Sequence, residues 1–144
     1  MMNHVFIDSN LWLYLFVGDD TNKLQAVKNL LVACNKNNAI VISFQVLNEV
    51  AFNLKKKGFS EETIRSIIST MEDTSIVIDF SVDIILNASE LREKHSFSYW
   101  DSLIIASAAA SYCKKLYSED MQDGKAIGDL RIENPFKLSE KTSI

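Results

Sequence analysis

Polar and apolar positions along this chain follow two different periods. Short apolar runs at 4–8, 40–43 and 76–80 are rich in Ile, Val and Phe, and a further short run at 115–118 holds Leu116 and Tyr117. They are bounded by polar residues, the pattern of strands buried in a parallel sheet. Between them apolar residues recur at helical spacing. Leu24, Val27, Leu30, Leu31 and Cys34 mark a helix over 22–36, and Ile64, Ile67, Ile68 and Met71 mark another after Ser60. Further helices are predicted over 11–17, 44–57, 83–94 and 99–114, and a fifth strand over 129–133. The 99–114 segment is apolar nearly all round and rich in alanine, so it is expected to be buried. Gly18 and Gly58 fall where helices must stop. Asp19-Asp20-Thr21, Ser43, Ser60, Ser81 and Ser98 fall where helices must be capped. Strands alternating with helices predict an α/β fold around a mostly parallel sheet of four to five strands.

The length of 144 residues suits one domain. We expect it to occupy 1–138, with 139–144 as a loose tail. No apolar stretch approaches the roughly 20 residues that span a bilayer. No basic segment followed by a long apolar one opens the chain, so cytoplasmic location without membrane association is expected. Cys34 and Cys113 both sit in apolar helical patterns and read as buried free thiols. The formal net charge of −4 argues against a protein that holds nucleic acid by bulk positive charge. It leaves a nuclease open, because bound cations would neutralise the acids locally.

Carboxylates carry the candidate chemistry. Asp8 closes the first apolar run, Glu49 lies early in the helix after the second strand, Asp101 precedes Leu103-Ile104-Ile105-Ala106, and Asp120 follows the fourth strand. Ligands of such sheets bind beyond the carboxyl ends of the strands, so these acids are expected in one cleft. Two like charges about 4 Å apart repel by roughly 4 kcal/mol at an effective dielectric near 20. A divalent cation with oxygen ligands is the simplest offset.

Each acid also has a plain structural reading. Asp8 can cap the helix that follows, although Asp8-Ser9-Asn10 supplies more capping groups than one helix needs. Glu49 shares a face with Gln45 and Asn53, which looks solvated. Ser98-Tyr99-Trp100-Asp101 has the form of a capping box. Glu119, Asp120 and Asp123 share one acidic turn closed by Gly124. Asp123 is a candidate for a second metal or for positioning a water. His4 and His95 are not placed as bases, and Lys55-Lys56-Lys57 and Lys114-Lys115 fit the cationic last turns of helices. Trp12, Tyr99 and Trp100 read first as packing residues and second as platforms for bases.

Taken together these segments resemble the PIN-domain family. Ile7-Asp8-Ser9-Asn10 is similar to its opening motif, Asn48-Glu49-Val50 to its second, and 99–106 to its third. Ser118-Glu119-Asp120-Met121 is similar to its fourth, and Ile132-Glu133-Asn134-Pro135-Phe136 to its closing strand. The size resembles the single-domain VapC-type toxins of bacterial toxin–antitoxin pairs. The resemblance implies a three-layer α/β/α sandwich and an endoribonuclease using one or two Mg²⁺ or Mn²⁺ ions. It supports Asp8, Glu49, Asp101 and Asp120 as the catalytic acids. Asp8, Asp101 and Asp120 are the expected metal ligands, with Glu49 and Asp123 as further candidates. Ser9, Asn10 and Ser118 become supporting or phosphate contacts. It also implies an RNA substrate, a homodimer and an antitoxin partner. Competing readings are a flap-type DNA nuclease, disfavoured by small size, a receiver-like signalling domain, and a binding-only relative without turnover.

Overall fold

The computed structural model describes residues 3–137, so the expected tail at 139–144 lies outside the described residues. The chain runs β1 (Asn3–Ile7), α1 (Ser9–Val17), α2 (Thr21–Asn37), β2 (Asn38–Ser43), α3 (Phe44–Lys56), α4 (Glu61–Thr74) and β3 (Ile76–Ile78). It continues through α5 (Val82–Lys94), α6 (Tyr99–Ala110), β4 (Cys113–Tyr117), β5 (Ala126–Ile127) and β6 (Leu130–Glu133). The strands form one sheet of order β3-β2-β1-β4-β6-β5. All neighbours are parallel except β5, which pairs antiparallel with β6. Helices flank this sheet, as the alternating pattern predicts.

The sheet has six strands rather than four to five. The extra one, β5, has two residues, too few to carry a period. It pairs Ala126 with Arg131 and Ile127 with Leu130 across a tight turn at Gly128, whose φ of 58° suits glycine. The third strand stops at Ile78 instead of 80, because pairing with β2 ends at Ser43↔Ile78 and the Asp79 side chain accepts from the Phe80 N–H. The last long helix ends at Ala110 rather than 114. Tyr112 adopts a left-handed φ of 58° and breaks the helix, which frees Cys113 and Lys114 to open β4. Cys113 is therefore a strand residue. Both cysteines are free and buried, and burial pushes the Cys113 thiol up to about 12.

The main core gathers Phe6, Ile7, Val41, Ile42, Leu116 and Ile132 from the strands with Leu11, Leu54, Met71 and Ile104 from the helices. Residues 102–108 of α6 are all buried, as its composition predicts, and α6 packs on α5 through Leu103, Ala106, Ile84 and Ala88. No helix among the described residues is long and apolar enough to cross a membrane.

Strand order sets the position of the site. From β1 the sheet grows one way through β2 and β3; the chain then returns past β1 to add β4 on the other side. The β1/β4 seam is thus the topological switch point, where a crevice opens beyond the strand ends. In register Ile7 faces Tyr117, so the residues leaving the sheet there are Asp8 and Ser118.

Candidate active site

Asp8 is fixed from three directions. Its N–H bonds the Tyr117 carbonyl at 3.0 Å, continuing the sheet one step beyond β1. Its Oδ1 accepts from the Ser9 N–H at 2.8 Å as the cap of α1, and its Oδ2 accepts from the Ser118 hydroxyl at 2.7 Å. Capping and site roles coexist in one carboxylate. Asp8 is 6% exposed. Burial pushes its carboxyl up to about 6, the Ser118 and Ser9 bonds pull it back, and the charges of Glu49 and Asp101 add to the rise.

Glu49 reaches the same place from the second turn of α3. Its Oε2 accepts from the Ser9 hydroxyl at 2.6 Å and its Oε1 from Gln45 Nε2 at 2.9 Å. The face of α3 bearing Gln45, Glu49 and Asn53 is only partly solvated, with Glu49 and Asn53 half-buried. Gln45 is buried and its Nε2 also meets the Trp100 carbonyl at 3.3 Å, while Asn53 bonds back to the Glu49 carbonyl. The polar face of this helix is turned toward the crevice.

Asp101 lies in the first turn of α6, whose cap Ser98 accepts from the Asp101 N–H at 3.2 Å. Desolvation raises its carboxyl, a bond from the Ser98 side chain lowers it, and the charges of Asp120 and Glu49 raise it again. Asp120 is exposed. Its Oδ2 accepts from Asn10 Nδ2 at 2.9 Å and its N–H donates to Ser118 Oγ at 3.3 Å. Ser118, fully buried, therefore links Asp8 to the Asp120 loop, and Asn10 links α1 to it. Asp123 instead accepts from the Asn134 N–H at 2.9 Å.

Glu119 belongs to a cluster that sequence spacing does not reveal. It accepts from the Tyr14 hydroxyl and pairs with Lys23, which also meets the Tyr14 hydroxyl at 3.0 Å. The Lys23 ammonium stands over the rings of Tyr14 and Phe136 at 4.7 and 5.1 Å. Partners 96 and 105 residues apart leave no periodic signal.

Four carboxylates thus lie within reach of one another's charge at one end of the sheet. Their oxygens match a hard divalent cation. Yet among the described residues no three His, Cys, Asp or Glu side chains are placed to hold one ion. Three of the acids are tied to neutral donors instead, Asp8 to Ser9 and Ser118, Glu49 to Ser9 and Gln45, and Asp120 to Asn10. The donor chemistry fits a metal; drawing the acids onto one ion requires their carboxylates to move closer together.

The PIN-domain family model matches residues 5–123, and the chain belongs to the PIN-domain family, a family of nucleases. No curated protein matches it in sequence. Among solved structures it is similar to the VapBC2 complex of Rickettsia felis bound to a promoter DNA fragment, at 25% identity and TM-score 0.72, covering 91% of this chain and 98% of that one. A toxin–antitoxin complex from Klebsiella pneumoniae matches at 23% identity and TM-score 0.69, covering 91% and 97%. VapC20 of Mycobacterium tuberculosis, a toxin that cleaves the sarcin–ricin loop, matches in fold at 18% identity and TM-score 0.67, covering 88% and 98%.

Proposed function

We propose that this chain is a metal-dependent endoribonuclease and the toxin half of a toxin–antitoxin pair. The observation that carries the proposal is the gathering of Asp8, Glu49, Asp101 and Asp120 at the β1/β4 switch point, where Ser9 joins Asp8 to Glu49 and Ser118 joins Asp8 to the Asp120 loop, and where burial first and neighbouring acid charge second raise the Asp8 and Asp101 carboxyls. Asp8, Asp101 and Asp120, joined by Glu49, hold one or two Mg²⁺ or Mn²⁺ ions. A bound ion of this kind supplies Lewis acidity at the scissile phosphate and makes water acidic enough to attack near neutral pH. Asp8 anchors the centre because it is the most rigidly held. Ser118 and the Ser9 N–H keep its two oxygens in place, Ser9 and Gln45 aim Glu49, and Asn10 aims Asp120. The Asn10 amide and Ser9 hydroxyl lie close enough to the acids to contact the RNA phosphate. Asp123 is assigned to the loop, where it holds the Asn134 backbone.

An antitoxin is the proposed protein partner. Two solved relatives are toxin–antitoxin complexes, and an apolar groove of about 600 Å³ between α3 and α4 exposes Phe44, Phe80 and Trp100. The exposed stripe Val82, Ile85 and Leu86 on α5 supports a homodimer. Residues 1–138 are proposed to act as one cytoplasmic domain.

The test is cleavage of single-stranded RNA with Mg²⁺ or Mn²⁺. Asp8→Asn and Asp101→Asn should each lose at least about 100-fold in rate, more than the 10–100-fold typical of groups that only support a metal ligand, with unchanged circular dichroism. Full cleavage by either variant, or in excess EDTA, sinks the metal mechanism. Preference for flap DNA over RNA moves the assignment to a DNA nuclease. The unassembled acids favour a second reading, a relative that binds RNA without cutting it; RNA binding without turnover under every divalent ion would establish it.

A further inference from the structure

The acidic centre opens on one side into a cleft of about 460 Å³. Its walls come from the end of α5, the 95–98 segment, the first turn of α6 and the loop after β4. Asp101 and Asp120 line this cleft, and so do Lys94, His95 and Lys125. Lys125 reaches in from the loop with its ammonium 5.6 Å from the centre of the Phe97 ring. His95 packs on the same ring at 5.4 Å between centroids. Phe97 is thus a rest that steers Lys125 toward the cleft, using the attraction of a cation for a ring face. Neither Lys94 nor Lys125 forms an ion pair among the described residues.

The placement differs on the other side of the centre. The cavity that touches Glu49 is lined by Gln45, Asn48, Phe52, Asn53 and Trp100, with no cation. A polyanion approaching four carboxylates on a chain of net charge −4 is repelled unless cations stand along its path. Of these two cavities beside the acids, the one lined by Lys94 and Lys125 supplies them. We infer that this cleft binds the phosphate backbone of single-stranded RNA next to the scissile phosphate, with Lys94 and Lys125 as its two phosphate contacts. The inference rests on the nuclease reading for its substrate, but its residues lie outside the acidic set. It makes Lys94 and Lys125 binding residues, which hold RNA equally in ground and transition states.

The experiment separates the two claims. Metal-free protein in EDTA is titrated with a short fluorescein-labelled single-stranded RNA, read by anisotropy, from about 50 to about 200 mM salt. Each phosphate contact contributes about 0.7 to the log–log salt slope for a single strand. The double variant K94Q/K125Q should therefore lose about 1.4 of slope and on the order of tenfold in affinity near 0.15 M salt. Lys56→Gln with Lys57→Gln removes the same charge from residues that do not line the cleft, and should bind as wild type. Lys94→Arg with Lys125→Arg should restore binding. In the cleavage assay K94Q/K125Q should raise KM with kcat unchanged. Unaltered affinity and slope in K94Q/K125Q, or an equal loss in the Lys56/Lys57 control, overturns the inference while leaving the nuclease intact. Lysine-dependent binding without cleavage by wild type overturns the nuclease reading and keeps this cleft. Failure of metal-free wild type to bind the RNA overturns the inference, and cleavage with Mg²⁺ or Mn²⁺ then decides the nuclease reading by itself.

Discussion

The acids that leave strands and the acids that ride on helices reach the same crevice by different means. Asp8 and Ser118 are extensions of the sheet, and Asp120 follows two residues after Ser118 in the loop. Asp8 continues the β1/β4 ladder with its own N–H, and Ser118, next on β4, donates to it while its backbone N–H bonds the Glu133 carbonyl on β6. Glu49 and Asp101 are carried by α3 and α6, and their side chains are aimed by neighbours on other elements or earlier in the same helix: Ser9, Gln45 and Ser98. A strand end fixes a carboxylate through the backbone. A helix fixes only the Cα and leaves the carboxylate to its hydrogen-bond partners. The strand side is therefore the rigid half of the centre and the helix side the adjustable half.

The largest effect should come from the rigid half. Asp8 has its carboxyl raised from an ordinary 3.8 to about 6 chiefly by burial. At roughly 1.4 kcal/mol per tenfold change in acidity, that is about 3 kcal/mol. The sign follows from linkage. A carboxyl that holds its proton more tightly when folded favours the fold below pH about 4, and that contribution is lost as pH rises through about 6. Metal-free wild type in EDTA should thus lose stability across this window relative to Asp8→Asn, which lacks the titrating group. At pH 7 the variant should be more stable by up to about 3 kcal/mol while its cleavage is lost. Divalent ion should narrow the gap by stabilising wild type alone. Parallel pH–stability curves for the two proteins would falsify the claim that burial strains Asp8.

On the adjustable half the effect should be smaller and confined to activity. Gln45 spends its Nε2 on Glu49 and Trp100, and its Oε1 is buried with no partner among the described residues. Gln45→Leu removes that orphaned oxygen along with the tether, so folding should change by less than about 1 kcal/mol. Glu49, released, should lower metal-dependent cleavage by about 10-fold, the low end for a group supporting a ligand. A metal titration gives the sharper reading, since the apparent metal constant should weaken with kcat at saturating metal recovered. Unchanged metal dependence would mean that Ser9 alone aims Glu49.

The two halves were also unequally legible in the sequence. Asp8 stood out because a strand end followed by Asp-Ser-Asn exceeds what one cap uses; the caps Ser43, Ser60, Ser81 and Ser98 occur where their residue types predict, and Asp20 is the member of Asp19-Asp20-Thr21 that caps α2. Glu49 did not stand out. Its helix presents Gln45, Glu49 and Asn53 together, and polarity alone cannot tell a face turned to a crevice from one turned to water. Family resemblance, not periodicity, raised it. Asp101 showed the cap but not the neighbouring charges of Asp120 and Glu49, which belong to distant segments. Lys94, Lys125 and the Tyr14–Lys23–Glu119 cluster were invisible for the same reason: topology brings them together, and no local spacing encodes it. Strand β5 was missed because two residues cannot show a period.

The cluster around Glu119 offers the smallest effect and the finest test of the rigid half. Glu119 sits between Ser118 and Asp120, its carboxylate gripped by Tyr14 and Lys23 and its backbone bonded by Asn10 and Asn134. If the strand-side acids depend on the backbone for their aim, loosening this grip should displace Asp120 without disturbing Asp8. Tyr14→Phe removes one hydroxyl and leaves the ring that packs edge-on to Phe136. It should lower kcat by a few-fold, below the 10-fold low end for a group that touches a metal ligand directly, with KM for RNA unchanged. Lys23→Met should cost more than Lys23→Arg, because arginine keeps the cation beside Glu119. In an Asp120→Asn background, adding Tyr14→Phe should change the residual rate no further, since the tyrosine then has no carboxylate left to aim. A Tyr14→Phe effect that persists in full on top of Asp120→Asn would place the tyrosine in general stability, and the loop after β4 would have to be counted with the adjustable half.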